Sequence, residues 1–386
     1  MNRRLFLSLP LVFAGAYGFW VSRPRLENLE YLELLKAEAE EHLAQCQRMA
    51  ASSETNGALS PVFEGFWDST ADAESLSDLR SLVDAMGKQS IYHDEPDDTS
   101  EAKAPESPAG LRARFQKYLP DLHLELAKPA FFSGKPSFDS SDMSFDLLAC
   151  KNLAIALSVE ATALASKGDY EGFVRCLRSI LGLSRGYRAF SLLIRLMISH
   201  SIADVALQTV LHAYSPGYEA APWAEVSRLL LEALPSREDL TLCMKCEFAF
   251  GDTFYQGVLD GNLPIEDLAE FGEELPFWKR LPGQVGRERR TYRRDIGEFI
   301  AALESGQSTS GLESEVAKKF DGHLRRLGVQ YDFHRAAARA FEALAAGEKG
   351  DVSFHIEDSG VRIKIVSSQW VEIVGRRVLF RLSQKH

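Results

Sequence analysis

The feature that most constrains this chain is an apolar stretch from Phe145 to Tyr214, interrupted early by a single polar break, Lys167-Gly168-Asp169-Tyr170. On both sides of the break the apolar residues recur at helical spacing. Because the connection is so short, the two helices are expected to lie antiparallel, with each burying its apolar stripe on the other. A third segment, 191–213, is apolar on most faces and is predicted to be a helix buried against this hairpin.

Further amphipathic segments on both sides of this core predict a mainly α fold, an antiparallel helical bundle or hairpin array. Near the C-terminus the apolar period changes from that of a helix to that of a strand. Val352, Phe354 and Ile356 alternate with other residues, and turn signals such as Asp358-Ser359-Gly360 separate several such runs. The C-terminus is therefore predicted to be a small antiparallel β meander. It is expected to pack one face on the helices, because so small a sheet is marginal alone.

Composition and turn signals divide the chain into six predicted segments. One of them, the linker, contains three prolines and the run Asp-Glu-Pro-Asp-Asp, which favours disorder. The predicted segments are a membrane anchor or export signal (1–25), an N-terminal helical segment (26–92), a disordered linker (93–110), a central helical bundle (111–261), C-terminal helices (262–346) and the β meander (347–386).

The N-terminal segment carries the features of a membrane anchor. Arg3 and Arg4 precede an uncharged apolar run from Leu5 to Val21, whose length is at the lower limit for spanning a bilayer, ~17 residues. Ala14-Gly15-Ala16 is a small-x-small site that a signal peptidase could cut. The run continues beyond it through Trp20, an aromatic residue typical of a membrane interface, so an uncleaved anchor is favoured.

The same segment predicts location. The run Asn2-Arg3-Arg4-Leu5-Phe6-Leu7 resembles a twin-arginine export signal. We therefore expect a single-pass protein of a bacterial inner membrane, with the bulk of the chain extracytoplasmic. The alternative is secretion to the periplasm after cleavage of the signal.

Charge and cysteine content exclude two further classes. The net charge is -11 and the isoelectric point is near 5.4, whereas phosphate-backbone binding needs a basic surface, so nucleic acid is not expected as a partner. The five cysteines are odd in number and widely scattered, which does not predict a disulfide framework.

The segment 145–190 resembles one tetratricopeptide repeat. A single such unit is visible, and no second copy follows at the repeat's period of ~34 residues, so a repeat array is not expected. Phe173 and Ile180 replace the small residues of the second helix, and Arg185 replaces the closing proline. The residues that carry the resemblance are Leu157, Ala161, Leu164, Gly168, Asp169, Tyr170 and Leu177.

The layout from Asn56 to about Gly261 also resembles uncharacterised bacterial proteins that have an N-terminal anchor or signal. The shared segments are Asn56-Gly57-Ala58, Pro136-Ser137-Phe138-Asp139 and Glu247-Phe248-Ala249. The resemblance implies a location and an architecture, and it implies no chemistry.

Cys243 and Cys246 form a Cys-x-x-Cys motif inside a predicted helix. A zinc site needs a second pair of ligands, and a thioredoxin-like site needs the motif at a helix start after a strand. Neither context is present, so two cysteines on a buried helix face are the favoured interpretation. A redox site is the alternative.

His200, Asp204, Gln208 and His212 recur every four residues on the otherwise apolar third helix. His200 and Asp204 could bind a metal or act as an acid–base pair. The competing interpretation is a solvated edge or a satisfied buried network.

Two further groups of charged residues need an explanation. Glu160 lies alone in an apolar helix, and an ion pair with Arg175 or Arg178 of the facing helix is expected, because an unpaired buried charge is costly. A general acid is the alternative role for Glu160. A basic group around Tyr292 is either a solvated face paired with Glu288 and Asp295 or a contact for anionic lipid or an acidic partner. Its members are Arg287, Arg289, Arg290, Arg293 and Arg294.

No residue of this sequence is assigned a catalytic, cofactor-binding or metal-binding role. The favoured interpretation is a membrane-anchored extracytoplasmic helical protein that binds or scaffolds other proteins. Its expected partners are the membrane, through residues 5–21, and a protein on the helical bundle. The alternative is an exported hydrolase or redox enzyme that uses His200 and Asp204, or Cys243 and Cys246.

Overall fold

The fold is known from a computed structural model of the full chain. It describes residues 26–67, 77–88, 107–138, 147–213, 222–264, 282–309, 312 and 314–346, and the backbone of four short segments between 352 and 384. The predicted anchor, 1–25, and most of the predicted linker, 93–110, lie outside the described residues.

Helices dominate the described part of the chain, which confirms the mainly α prediction. Two short 3₁₀ turns, Gly57–Leu59 and Pro61–Phe63, follow the first helix. In chain order the α-helices are α1 (Leu26–Ala50), α2 (Asp78–Lys88), α3 (Pro108–Phe115), α4 (Leu119–Glu125), α5 (Leu147–Ala165), α6 (Tyr170–Tyr187), α7 (Leu193–Ala213), α8 (Trp223–Glu232), α9 (Arg237–Leu259), α10 (Pro282–Ser305) and α11 (Glu315–Ala345).

The chain divides into two compact units. The smaller one comprises Met1–Glu41 and Met244–Lys319, and the larger one comprises His42–Cys243 and Phe320–His386. The predicted six-segment division rests on composition, whereas this division follows contacts between helices distant in sequence.

The core of the larger unit is the hairpin of α5 and α6, with α7 packed against both helices. The hairpin turn has a local cause. Gly168 adopts a positive φ of 78°, a conformation that a residue with a Cβ adopts at a steric cost. The next residue, Asp169, accepts a hydrogen bond from the Gly172 backbone N–H at 2.9 Å and so caps α6. Leu153, Leu157 and Leu177 are among the fully buried side chains between the helices.

Two described helices are long and apolar enough to cross a membrane, judged by length and composition alone. They are Leu148–Ala165 of α5 and Leu193–Ala213 of α7, and 67% of each segment is buried inside the protein. The core helix of a soluble protein has the same composition, so this is weak evidence for membrane association. The single span expected from the sequence, 5–21, is not one of these two helices.

In the smaller unit α10 contributes an apolar stripe that includes Phe299 and Ile300, both fully buried. The same unit contains a fully buried carboxylate, Asp252, which contacts basic side chains. Arg289 binds it through two nitrogens, at 2.7 and 2.9 Å, and Lys36 approaches it at 3.5 Å. Buried charges are stable only when paired in this way.

The prediction that a C-terminal β meander forms a layer of this fold is wrong. The part of the chain whose side chains are described contains no strand. Only backbone pairing is described beyond residue 351, where consecutive antiparallel segments are Val352–Glu357, Gly360–Ile365, Gln369–Val374 and Arg381–Gln384. The physical reason is that alternation specifies local pairing, whereas a sheet layer also needs an apolar surface to cover it. The described helices of the larger unit pack their apolar stripes against one another.

Candidate functional site

A candidate site in the larger unit is a partly open cavity of about 240 Å³ between α7 and α11, here called the histidine groove. Each helix lines the groove with residues three or four apart, so one face of each helix forms one wall. The α7 wall consists of Met197, His200, Ser201 and Asp204, and the α11 wall consists of His323, Arg326, Leu327, Gln330, Phe333 and His334.

Two buried histidines approach each other in the groove. The rings of His200 and His334 lie 5.1 Å apart, centroid to centroid, and Tyr331 packs its ring edge-on to His200 at 5.2 Å. His334 is 1% exposed and His200 is 8% exposed. The Nε2 atom of His334 lies 3.6 Å from the Asp204 carboxylate, a distance slightly too long for a hydrogen bond.

Several buried polar atoms of this cluster lack a hydrogen-bond partner among the described residues. They are His200 Nδ1 and both ring nitrogens of His334, whereas the unsatisfied Tyr331 hydroxyl belongs to a residue that does not line the groove. Buried polar groups in proteins are nearly always satisfied, and leaving one unsatisfied costs about 1–3 kcal/mol. Their concentration at one groove therefore indicates a place where a bound molecule or water supplies the missing partners.

Electrostatics keep His200 neutral near pH 7. Its pKa is lowered to about 4, mainly by burial and in smaller part by His334, while Asp204 acts in the opposite direction. A neutral imidazole carries one N–H donor and one nitrogen acceptor. The groove can therefore both donate and accept hydrogen bonds, and a proton could be exchanged with a bound group there.

The sequence predicted part of this cluster. His200 and Asp204 do lie in one groove. The other members of their row, Gln208 and His212, do not line it, and the exposed His212 pairs its Nδ1 with the Gln208 carbonyl at 2.8 Å. His334 was missed. A signal for it exists, since it is the polar member of a buried stripe on α11 whose other members are Leu327, Tyr331 and Ala338.

No protein-family model, no curated protein and no solved structure matches this chain. The likeness to a single tetratricopeptide hairpin and to anchored bacterial proteins stays a prediction.

The Cys-x-x-Cys pair lies on α9, and both Cys243 and Cys246 are buried and free of disulfides. No group of three metal-ligating side chains occurs among the residues that the structure describes. Cys243 and Cys246 are 1% and 0% exposed, respectively.

The expected partners of Glu160 were wrong. Its buried carboxylate accepts hydrogen bonds from Arg112 Nε at 3.0 Å and from Gln116 Nε2 at 2.8 Å. Arg175 instead pairs with Glu171 on its own helix, and Arg178 pairs with Glu225. The Glu160 carboxylate is therefore held by α3 and the residue that follows it, and it does not line the histidine groove.

The basic group of the smaller unit is mostly paired. Arg289 and Arg293 face Asp252, and Arg293 also pairs with Glu33. Arg294 pairs with Asp295, as the solvated-face interpretation expects. Arg287 and Arg290 are exposed, and they are the members of this group that remain available to an anionic surface.

Proposed function

We propose that this protein is a membrane-anchored, extracytoplasmic binding module whose histidine groove holds an acidic segment of a protein partner. The observation that carries the proposal is the set of unsatisfied buried ring nitrogens on His200 and His334. A partner side chain that enters the groove can supply their missing hydrogen bonds. The predicted anchor at 5–21 supports the location.

The charge of the groove favours an acidic occupant. His323 and Arg326 line it, and no ion pair is described for the exposed Arg326. Among the described residues that line it, the one carboxylate is Asp204, which lies beside His334. Guanidinium groups bind carboxylates through two parallel N–H donors.

The shape of the groove favours an extended segment or a single helix face over a folded domain. The α7 wall extends for about two helical turns, roughly 10 Å, and the α11 wall extends for about three, roughly 16 Å. Met197 on its lining and Ile194 one turn away are 39% and 38% exposed. These two side chains offer apolar contact beside the polar floor, which is the usual composition of a recognition groove.

The test uses the detergent-solubilised full-length chain and a fluorescein-labelled hexapeptide of alternating glutamate and leucine. Binding is measured by fluorescence anisotropy. We expect Arg326→Gln and His334→Phe to weaken binding at least tenfold. The matched control is Arg335→Gln, because Arg335 is on the same helix, outside the groove, and pairs with Asp332. Equal affinity in all variants, or no binding by the unaltered chain, would overturn the proposal.

A second candidate function, an exported hydrolase, gains one observation. Asp204 and His334 are close enough for a small movement to create a hydrogen bond that orients the imidazole as a base. Ser201 also lines the groove, although no hydrogen bond between Ser201 and either histidine is described. Hydrolysis of p-nitrophenyl acetate that is lost in both His334→Gln and Asp204→Asn would favour this candidate. The redox variant of this alternative is not favoured, because both cysteines are buried.

A further inference from the structure

The larger unit contains a second cavity, of about 210 Å³, separate from the histidine groove and here called the arginine pocket. Arg185, at the end of α6, and Arg188, just after it, provide one side of its lining. Ser191 and Asp239 are further polar groups in the lining, and the remaining wall includes His42 and Cys243. The pocket thus has two guanidinium groups and one carboxylate.

Arg188 carries a poorly neutralised charge. It is half-buried, and its Nη1 donates a hydrogen bond to the Ala233 carbonyl. No carboxylate within ion-pair distance of Arg188 is described in this part of the chain. Burial lowers the pKa of its guanidinium, and Asp239 acts in the opposite direction. Charges removed from water need a counter-ion or a full set of acceptors, so this group favours a bound anion.

The nearby carboxylates are already engaged. Asp239 accepts a hydrogen bond from the Ser236 backbone N–H at 2.8 Å, and its own N–H donates to the Ser236 hydroxyl at 3.1 Å. This reciprocal capping box fixes Asp239 at the start of α9. Glu232 lies 3.7 Å from Arg185 and is also paired with Arg228. Asp239 compensates part of the Arg188 charge from a distance, but neither carboxylate forms a described ion pair with Arg188.

We propose that the arginine pocket binds a phosphate group, either inorganic or carried by a small phosphomonoester. Arg188 is the main donor, and Arg185 and the Ser191 hydroxyl complete the site. A guanidinium presents a planar set of N–H donors that matches two phosphate oxygens, and a second guanidinium with a hydroxyl can reach the others of a tetrahedral anion. The burial of Arg188 strengthens its attraction for the anion relative to a fully hydrated site.

The experiment measures the thermal midpoint of the detergent-solubilised full-length chain as inorganic phosphate replaces chloride at constant ionic strength. We expect a saturable rise, because an anion that binds only the folded state stabilises it. Arg178→Gln is the matched control, since Arg178 is exposed on the same helix and is paired with Glu225. This control should keep the rise, whereas Arg188→Gln should lose it and Arg188→Lys should weaken the apparent affinity.

Two further arms keep the result decisive. If Arg188→Gln does not fold, Arg185→Gln is the substitute, because Arg185 is partly exposed, and we expect it to weaken the apparent affinity at least fivefold. Glycerol phosphate in place of inorganic phosphate distinguishes the sources, since tighter binding of the ester indicates an organic ligand and tighter binding of inorganic phosphate indicates the free ion. The absence of a saturable rise in the unaltered chain would overturn the proposal, as would an equal rise in the Arg188 and Arg185 variants.

Discussion

The imidazole rings of His200 and His334 lie 5.1 Å apart, one from α7 and the other from α11. Each ring has a buried nitrogen with no hydrogen-bond partner among the described residues. A packed helical core gains nothing from such an arrangement, because apolar side chains of the same shape would avoid the desolvation cost. The pair is therefore a feature that lowers stability and is expected to serve the groove.

The first prediction tests this cost directly. Replacing His334 by Phe keeps the ring shape and removes two buried unsatisfied atoms, so we expect the free energy of unfolding to rise by about 1–2 kcal/mol. The measurement is denaturant unfolding at pH 7. His212→Phe is the control, because His212 is exposed and its change should stay within about 0.5 kcal/mol. A clear loss of stability in His334→Phe would show that the buried nitrogens are satisfied in solution.

The second prediction concerns pH. Burial lowers the pKa of His200 to about 4, whereas an unfolded histidine titrates near 6.5. Between these values the unfolded chain binds more protons than the folded chain, so stability falls as the pH decreases from 6.5 towards 4. His123, half-buried beside Ser179, has its pKa lowered to about 4 for the same reason and adds to the loss.

The measurement is denaturant unfolding at pH 7.0 and at pH 4.5, in the unaltered chain and in His200→Phe. His200 should account for a loss of about 2–3 kcal/mol over this interval. The groups that face it are His334 and Tyr331 on α11 and Asp204 on its own helix. In His200→Phe, only the loss of stability that comes from other groups should remain between pH 7.0 and pH 4.5. A loss equal to that of the unaltered chain would contradict the assignment.

The local parts of the fold could be predicted from the sequence, and the reason is physical. The α5–α6 hairpin depends on apolar spacing, one turn glycine and one capping aspartate, all within a few residues of each other. The same locality made His200 and Asp204 visible as a pair, because residues four apart on a helix share a face.

The partners that come from distant parts of the chain could not be predicted in this way. Glu160 is held by Arg112 and Gln116, and Asp204 meets His334, although nothing in the local sequence specifies either meeting. Arg175 and Arg178, on the facing helix, were a reasonable expectation for Glu160, but Arg175 pairs with the exposed Glu171 and Arg178 with the partly exposed Glu225. The C-terminal alternation likewise specifies strand pairing and does not specify what covers a sheet.

The third prediction concerns the buried Glu160 carboxylate. Arg112→Met removes its charged partner and leaves Gln116 as the remaining donor, so we expect a loss of about 3 kcal/mol of unfolding free energy. Arg175→Met is the control, because Arg175 pairs with Glu171 on an exposed face and should contribute within about 0.5 kcal/mol. The double variant Arg112→Met with Glu160→Leu should recover most of the loss. If it recovers none, the cost comes from packing of the arginine stem and not from the unpaired charge.

The fourth prediction compares two helical glycines of the larger unit. A Cβ built on Gly182 of α6 would lie 2.1 Å from the Leu126 carbonyl oxygen, whereas a Cβ on Gly322 of α11 meets nothing within 4 Å. Gly182→Ala must therefore push apart the backbone of α6 and the end of α4, at a cost of about 2–3 kcal/mol. Gly322→Ala should instead stabilise the chain by about 0.5–1 kcal/mol, because alanine loses less backbone entropy in a helix. Thermal unfolding of the two variants in parallel checks the opposite signs, and equal shifts would refute the close approach of α6 to residue 126.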